Sequence, residues 1–219
     1  MCIKRVYHFC NSKYALENLE KKRLKVSTIL DLNDPFELLC HYLPDKRSRL
    51  AMQALKQTIS DSVGMLCFSA AYNNPVQWAH YADKHQGICL GFDVHENDLM
   101  KVRYSSQRLR LTGAEDVDPI AFKRWTEEYA STKYSHWKYE KEHRVFIDLS
   151  KFDRSGLMFQ AIDERIKLRQ VIVGCRSSVS RKQVGDALLG FNYPIETFKV
   201  RTAFNSFKVV RNKDESLWL

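Results

Sequence analysis

Three stretches of this 219-residue chain carry side chains capable of chemistry. The first is Tyr7-His8-Phe9, inside the aromatic and β-branched run RVYHF. Strand alternation sends Tyr7 and Phe9 to one face and His8 to the other, where an imidazole offers both a directional donor and an acceptor. The second joins Phe68-Ser69 to WAHYADKHQGICLGF, residues 78–92, which gathers an indole, two imidazoles and a phenol ahead of a glycine. Trp78 and Tyr81 stand three apart and so share a helix face, presenting flat rings against which a planar ligand can stack. The third is WKYEKEHR, residues 137–144. Alternation there puts Glu140, Glu142 and Arg144 on one side, a carboxylate for developing positive charge and a guanidinium for phosphate. Each cluster also has a plainer reading: a satisfied or exposed histidine, core aromatics, and a solvated strand start. The turn-rich LNDPFE adds Asp34 and Glu37. Asx-Pro clusters build turns, and contact of Asp34 or Glu37 with a substrate is the alternative.

The elements that must position these groups follow from pattern. RVYHF, LKVSTI, GMLCFS, ICLGFDV, HRVFIDL and QVIVG read as strands, and PIETFKVRTAFNSFKVV as two more. Asn11-Ser12 offers an N-cap to the helix KYALENLEKKRL. Residues 46–62 read as an amphipathic helix with Leu50, Met52, Ala54, Leu55 and Ile59 inward. WAHYADKH reads as a short helix stopped by Gly87 in a C-cap role. Helices are also expected at 120–134, at MFQAIDERIK and at SRKQVGDALLG, and residues 100–119 as a loop with a hairpin around VRYS. Strands and helices alternate without a βαβ rhythm, which favours an α+β fold. No repeat or long linker appears, so one domain spanning 1–219 is expected.

Composition sets outer bounds. Thirty-five Lys and Arg against 26 Asp and Glu give a formal charge of +9, with a pI near 9.2. Such a field concentrates polyanions, whether nucleic acid, a dinucleotide or an acidic protein. No run approaches the ~18 apolar residues of a membrane span. MCIKRVYHFCNSKY lacks the apolar core of a secretory signal, so a cytoplasmic protein with no membrane partner is expected. Cys2, Cys10, Cys40, Cys67, Cys89 and Cys175 form no CxxC pair and read as buried thiols rather than disulfides or metal ligands.

GxGxxG, P-loop, GxSxG and HExxH motifs are all absent. His80 and His85 lie five apart, a poor match to one helical face, so no metal site is expected. What remains is an order: YHF on an opening strand, F-S, then an aromatic helix before G-I-C-L-G-F, then a carboxylate at a late strand start. This order resembles the ADP-ribosyltransferase superfamily, in particular its His-Tyr-Glu branch of diphtheria-toxin-like and poly(ADP-ribose) polymerase-like domains. The set YHF, LNDPFE, CFS, WAHYA, HQGICLGF and YEKEHR also looks like a bacterial family known only as a domain of unknown function.

The transferase resemblance implies a split, mainly antiparallel β-sheet with flanking helices, and NAD as cofactor. By that resemblance His8 would bond the adenosine-side ribose, and Tyr81 would stack on the nicotinamide. Glu142 would bond the nicotinamide ribose and stabilise the oxocarbenium-like cation. Ser69 and Trp78 would line the nicotinamide pocket, Arg144 or a nearby lysine would meet the pyrophosphate, and Glu140, the competitor of Glu142 for the catalytic role, would position the acceptor. Phe9 stands where the pattern often has glycine. The implied activity is mono-ADP-ribosyl transfer to RNA, DNA or protein, in a toxin or phage-defence effector with a cognate antitoxin. Two other readings stay open: a metal-independent ribonuclease using His80, His85 or His143 with Arg144, and a binding module for NAD or nucleic acid without turnover.

Overall fold

The computed structural model describes residues 2–37, 41–109, 130–153 and 156–218. Its elements run β1 (Ile3–Cys10), α1 (Ser12–Glu20), β2 (Arg23–Lys25), β3 (Ser27–Thr28), α2 (Lys46–Ser62), β4 (Val63–Ser69), α3 (Pro75–Tyr81), β5 (Ile88–His95), β6 (Met100–Lys101), β7 (Arg103–Ser105), β8 (Thr132–Tyr134), β9 (Glu142–Asp148), β10 (Phe159–Ala161), β11 (Ile166–Val173), α4 (Arg181–Ala187), β12 (Glu196–Thr202) and β13 (Val209–Arg211). The fold is α+β, as the mixed pattern of strands and helices requires. Two compact units emerge, each built from discontinuous segments: Met1–Lys25, Cys67–Leu99 and Phe159–Leu219 in the first, Val26–Leu66 and Met100–Met158 in the second. No linker announces this division in the sequence, because the boundaries fall within or beside strands.

In the first unit the strand order is β13-β12-β11-β5-β1-β4. Pairing is antiparallel except between β11 and β12. Register assigns the faces, since directly paired residues point the same way. Phe9 opposes Cys89, and Cys89 opposes Ile172. With Trp78, Phe198, Val200 and Val209 they form one apolar cluster, in which Phe9 meets the Trp78 indole edge-on at 5.3 Å. His8 opposes Leu90 and Val6 opposes Phe92 on the other face. There His8 meets Phe68 edge-on, and Phe68 meets Phe92 likewise.

Asn11 caps α1 by accepting from the Lys13 N–H, as its sequence position suggests. Helix α2 has the expected bounds and buries Met52, but Leu50 and Ala54 point outward. Ser60 is buried instead, so the inward stripe is less apolar than periodicity implies.

Three expectations need correction. Helix α3 ends at Tyr81 with Ala82 as its cap, so Gly87 is no C-cap. Asp83, Lys84 and His85 follow with φ of 45°, 52° and 72°, a left-handed run costing about 1–2 kcal/mol per residue. Hydrogen bonds from Lys84 N to Ala79 O, His85 N to Trp78 O and Gly87 N to Ala82 O offset it. Gly87 is required by close approach, since a Cβ there would collide with the Cys10 carbonyl. The second correction is MFQAIDERIK, which forms β10 and the start of β11 rather than a helix. Asp163 accepts from the N–H groups of Arg165 and Ile166, making a turn, and Ile166 and Leu168 then pair with Val94 and Phe92. Third, residues 132–134 of the expected helix 120–134 are strand β8, and VRYS belongs to β7, which runs parallel to β8 rather than forming a hairpin. Residues 120–129 lie outside the described residues. Cys2, Cys10, Cys67, Cys89 and Cys175 are free thiols, of which only Cys89 is fully buried. Cys40 lies outside the described residues.

No described helix is long and apolar enough to cross a membrane.

His8 gives this unit a pH dependence. Burial pushes its pKa down, only partly opposed by its hydrogen bond to the Cys67 carbonyl. Below the unfolded-state value of about 6.5, the unfolded chain takes up a proton that the folded chain resists, so stability falls as pH falls. Thermal unfolding between pH 7.5 and pH 5 should show a smaller loss in His8→Gln than in the native chain, and at pH 7.5 the variant should be about 1 kcal/mol less stable for its lost hydrogen bond.

Candidate functional site

The second unit concentrates charge inside the protein. Glu37 follows the NDP turn, where Asp34 Oδ1 accepts from the Phe36 N–H at 2.9 Å. Lys133 comes from the middle of β8. Glu140 ends a 3-10 turn over Ser135–Glu140, Lys141 turns the chain with φ of 47°, and Glu142 opens β9. Pairing of β6 with β9, Met100 opposite Arg144, fixes the strand. The Glu142 N–H donates to the Tyr104 hydroxyl at 2.8 Å, and burial raises the Tyr104 phenol to about 12.

These elements bring five charged side chains together. Lys133 Nζ lies 2.8 Å from Glu140 Oε2, 3.3 Å from Glu142 Oε2 and 3.3 Å from Glu37 Oε1. Arg144 Nε donates to Glu142 Oε1 at 2.7 Å, and Nη2 to Glu37 Oε1 at 2.8 Å and Glu142 Oε2 at 3.1 Å. Nη1 donates to the Ala130 carbonyl at 3.0 Å. Glu37 and Arg144 are each 1% exposed. Burial works against the Lys133 charge, yet Glu142, Glu37 and Glu140 together hold its pKa above the ordinary lysine value. Written as ions, three glutamates face two cations, so among the described residues the cluster keeps one negative charge.

Two buried oxygens here have no donor among the described residues: Glu37 Oε2 and Asp34 Oδ2. An unsatisfied buried acceptor costs about 1–3 kcal/mol. A cavity of about 330 Å³ opens beside this cluster, lined by Phe36, Ser105–Arg108 and Thr132–Tyr134. Lys133 thus belongs both to the cavity wall and to the cluster. Arg108 stands over the Phe36 ring at 5.5 Å and donates to the His41 carbonyl. The described residues hold no group of His, Cys, Asp and Glu arranged to bind a metal ion.

The residues expected from sequence are distributed as follows. Glu140, Glu142 and Arg144 meet in this cluster, although alternation is not the reason for Glu140, which precedes the left-handed Lys141. Arg144 is a correction: all three guanidinium nitrogens donate within the protein at 1% exposure, so it is not available to a pyrophosphate. Ser69, Trp78, Tyr81 and His8 belong to the first unit. Trp78 is a correction too. It is 0% exposed, its indole N–H is bonded to the Tyr72 carbonyl, and it is a core residue rather than the wall of a ligand pocket. Ser69 is buried, with its hydroxyl 3.0 Å from the Ala71 carbonyl and 3.1 Å from Gln77 Oε1. His8 and Trp78 lie on opposite faces of the sheet, so they do not share one ligand site. Tyr81 is half-buried and edge-on to the exposed His80. Of the histidines considered for nuclease chemistry, His85 faces Cys175 and His143 is buried in the second unit with its ring beside the Lys141 carbonyl.

Sequence reasoning missed Lys133, hidden in what reads as a helix. It reads LNDPFE first as a turn built by Asn33 and Asp34, with substrate contact by Asp34 or Glu37 as the alternative. The available signal was a carboxylate placed just after a turn that fixes Phe36.

A family model described as a protein of unknown function (DUF2971) matches residues 77–145, which include Tyr81, Lys133, Glu140, Glu142 and Arg144. No curated protein and no solved structure matches the chain.

Breaking a buried ion cluster strands its remaining charges, at about 3–5 kcal/mol for one partner. Urea unfolding of Arg144→Met should therefore show a loss of that size. The double variant Arg144→Met with Glu37→Met should lose less than the sum of the single losses, because it removes a facing pair of charges.

Proposed function

We propose that the chain is an NAD-dependent mono-ADP-ribosyltransferase whose reacting groups lie in the second unit. The observation carrying this reading is the buried cluster of the three carboxylates Glu37, Glu140 and Glu142, joined through Lys133 to a cavity wall. Breaking the bond between ribose and nicotinamide builds positive charge at the anomeric carbon. Fixed negative charge in a water-poor setting favours that state over the neutral sugar. The cavity's roughly 330 Å³ lies at the small end of ligand pockets, about 300–1,000 Å³, which suits one ring and its ribose.

The residues present fit such a group. Glu37 and Asp34 do not line the cavity, and their buried carboxylates act on a bound ribose through their charge rather than by contact. The exposed rings of Phe36 and Tyr134 offer flat faces to a base. Arg108 and Ser106 supply donors for phosphate oxygens. Glu142 opens β9 and is bonded to Arg144 and Lys133, and Lys133 also lines the cavity. Glu142 is the candidate to hold the nicotinamide ribose 2′-hydroxyl, and Glu140 is the candidate to receive the acceptor's proton. The reading assigns no ligand contact to His8, Ser69, Trp78 or Arg144. A charge of +9 favours a nucleic acid as acceptor.

The test is incubation with labelled NAD and separate RNA, DNA and protein fractions. One ADP-ribose should be added to one fraction, and Glu142→Gln should slow this at least about a hundredfold, as for loss of a group that stabilises transition-state charge. Ser106→Trp leaves the ion cluster intact and fills the cavity, so calorimetry should show NAD affinity lost at unchanged melting temperature. NAD binding unaffected by Ser106→Trp, or RNA cleavage without NAD, would overturn the reading.

A further inference from the structure

The first unit carries a feature that the NAD reading does not use. Strands β12 and β13 form a hairpin, Thr202 opposite Val209. The Ala203 N–H donates to the Lys208 carbonyl at 2.9 Å and closes a four-residue loop, Phe204-Asn205-Ser206-Phe207. Both rings stand in solvent, Phe204 87% exposed and Phe207 100%. A benzyl side chain left wholly in water gains nothing for the fold, and a hairpin turn does not call for phenylalanine.

Within the hairpin the charge has one sign, and the acids Glu196, Asp214 and Glu215 stand just outside it. Residues 199–213, KVRTAFNSFKVVRNK, contain five cations, Lys199, Arg201, Lys208, Arg211 and Lys213, and no acid. Lys199 is turned to the Ser177 carbonyl, and Arg211 is paired with Glu196. Lys208 and Lys213 are exposed and form no ion pair among the described residues. The Arg201 guanidinium lies over the Phe204 ring, 4.3 Å from its centre.

We propose that this hairpin tip binds single-stranded nucleic acid, its two phenylalanines stacking on unpaired bases while Lys208 and Lys213 meet the phosphates. Base stacking on exposed aromatic rings beside a cationic track is how strands are held without sequence preference. The Arg201 contact favours this partner over a membrane. A ring entering the hydrocarbon would carry the guanidinium toward a medium that penalises charge, whereas a base can stack on the ring's free face and leave the cation in water. The proposal stands apart from the NAD reading, and its test contains no NAD.

Fluorescence anisotropy with a labelled 20-nucleotide single strand measures the affinity of the whole chain. Phe207→Ala and Phe204→Ala should each weaken binding about tenfold, with melting temperature unchanged. Phe207→Leu, which keeps an apolar side chain and removes the stacking plane, should weaken binding as much as Phe207→Ala. Lys208→Gln and Lys213→Gln should each lower the slope of log affinity against log salt by about 0.7. Failure of the native chain to bind, equal binding by the Phe204→Ala/Phe207→Ala double variant, or full binding by Phe207→Leu would overturn the proposal. So would capture of the native chain by anionic phosphatidylserine vesicles through the same two rings while the strand stays free.

Discussion

The second unit is organised around a single electrostatic constraint: ions taken out of water must be met by opposite ions in good geometry, or they will not stay charged. Lys133 and Arg144 meet it by dividing three glutamates between them, one as a compact point charge and the other as a planar fork. Each partner comes from a different part of the chain: Glu37 from the turn after β3, Lys133 from β8, Glu140 and Glu142 from either side of a left-handed residue. The cluster therefore fixes turn, strand and strand start together. Lys133 carries the cluster to the cavity wall, so the same ions that hold the unit in place border the cavity.

Much of the fold was legible because strand and helix periods are written in single residues. β1, β4, β5 and β9 fall on short apolar or β-branched runs, and α2 has the bounds its pattern implies. The misread segment MFQAIDERIK shows where this fails. Its apolar residues Phe159, Ile162 and Ile166 also suit a helix, and only the pairing partners Lys25, Val94 and Phe92, distant in sequence, decide for strand. Local pattern cannot supply that information.

The candidate site was legible in part for the same reason. Glu140, Glu142 and Arg144 stand close in sequence and could be grouped from it. Lys133 and Glu37 could not, because a buried lysine looks in sequence like any exposed one, and its burial depends on Glu140, Glu142 and the distant Glu37. Trp78 shows the reverse error. An indole beside polar neighbours reads as a ligand platform, but the core of Cys89, Ile172 and Phe198 absorbs it completely.

The first unit draws on the opening 25 residues and on everything from Phe159 onward, with β5 seated between β1 and β11. Closing such long loops carries an entropic cost that grows with separation and slows assembly. A nascent chain on the ribosome therefore cannot finish this sheet until its last strands have emerged. Until then the edge of β5 that pairs with β11 is an open row of backbone donors and acceptors, the kind of edge on which other chains can pair.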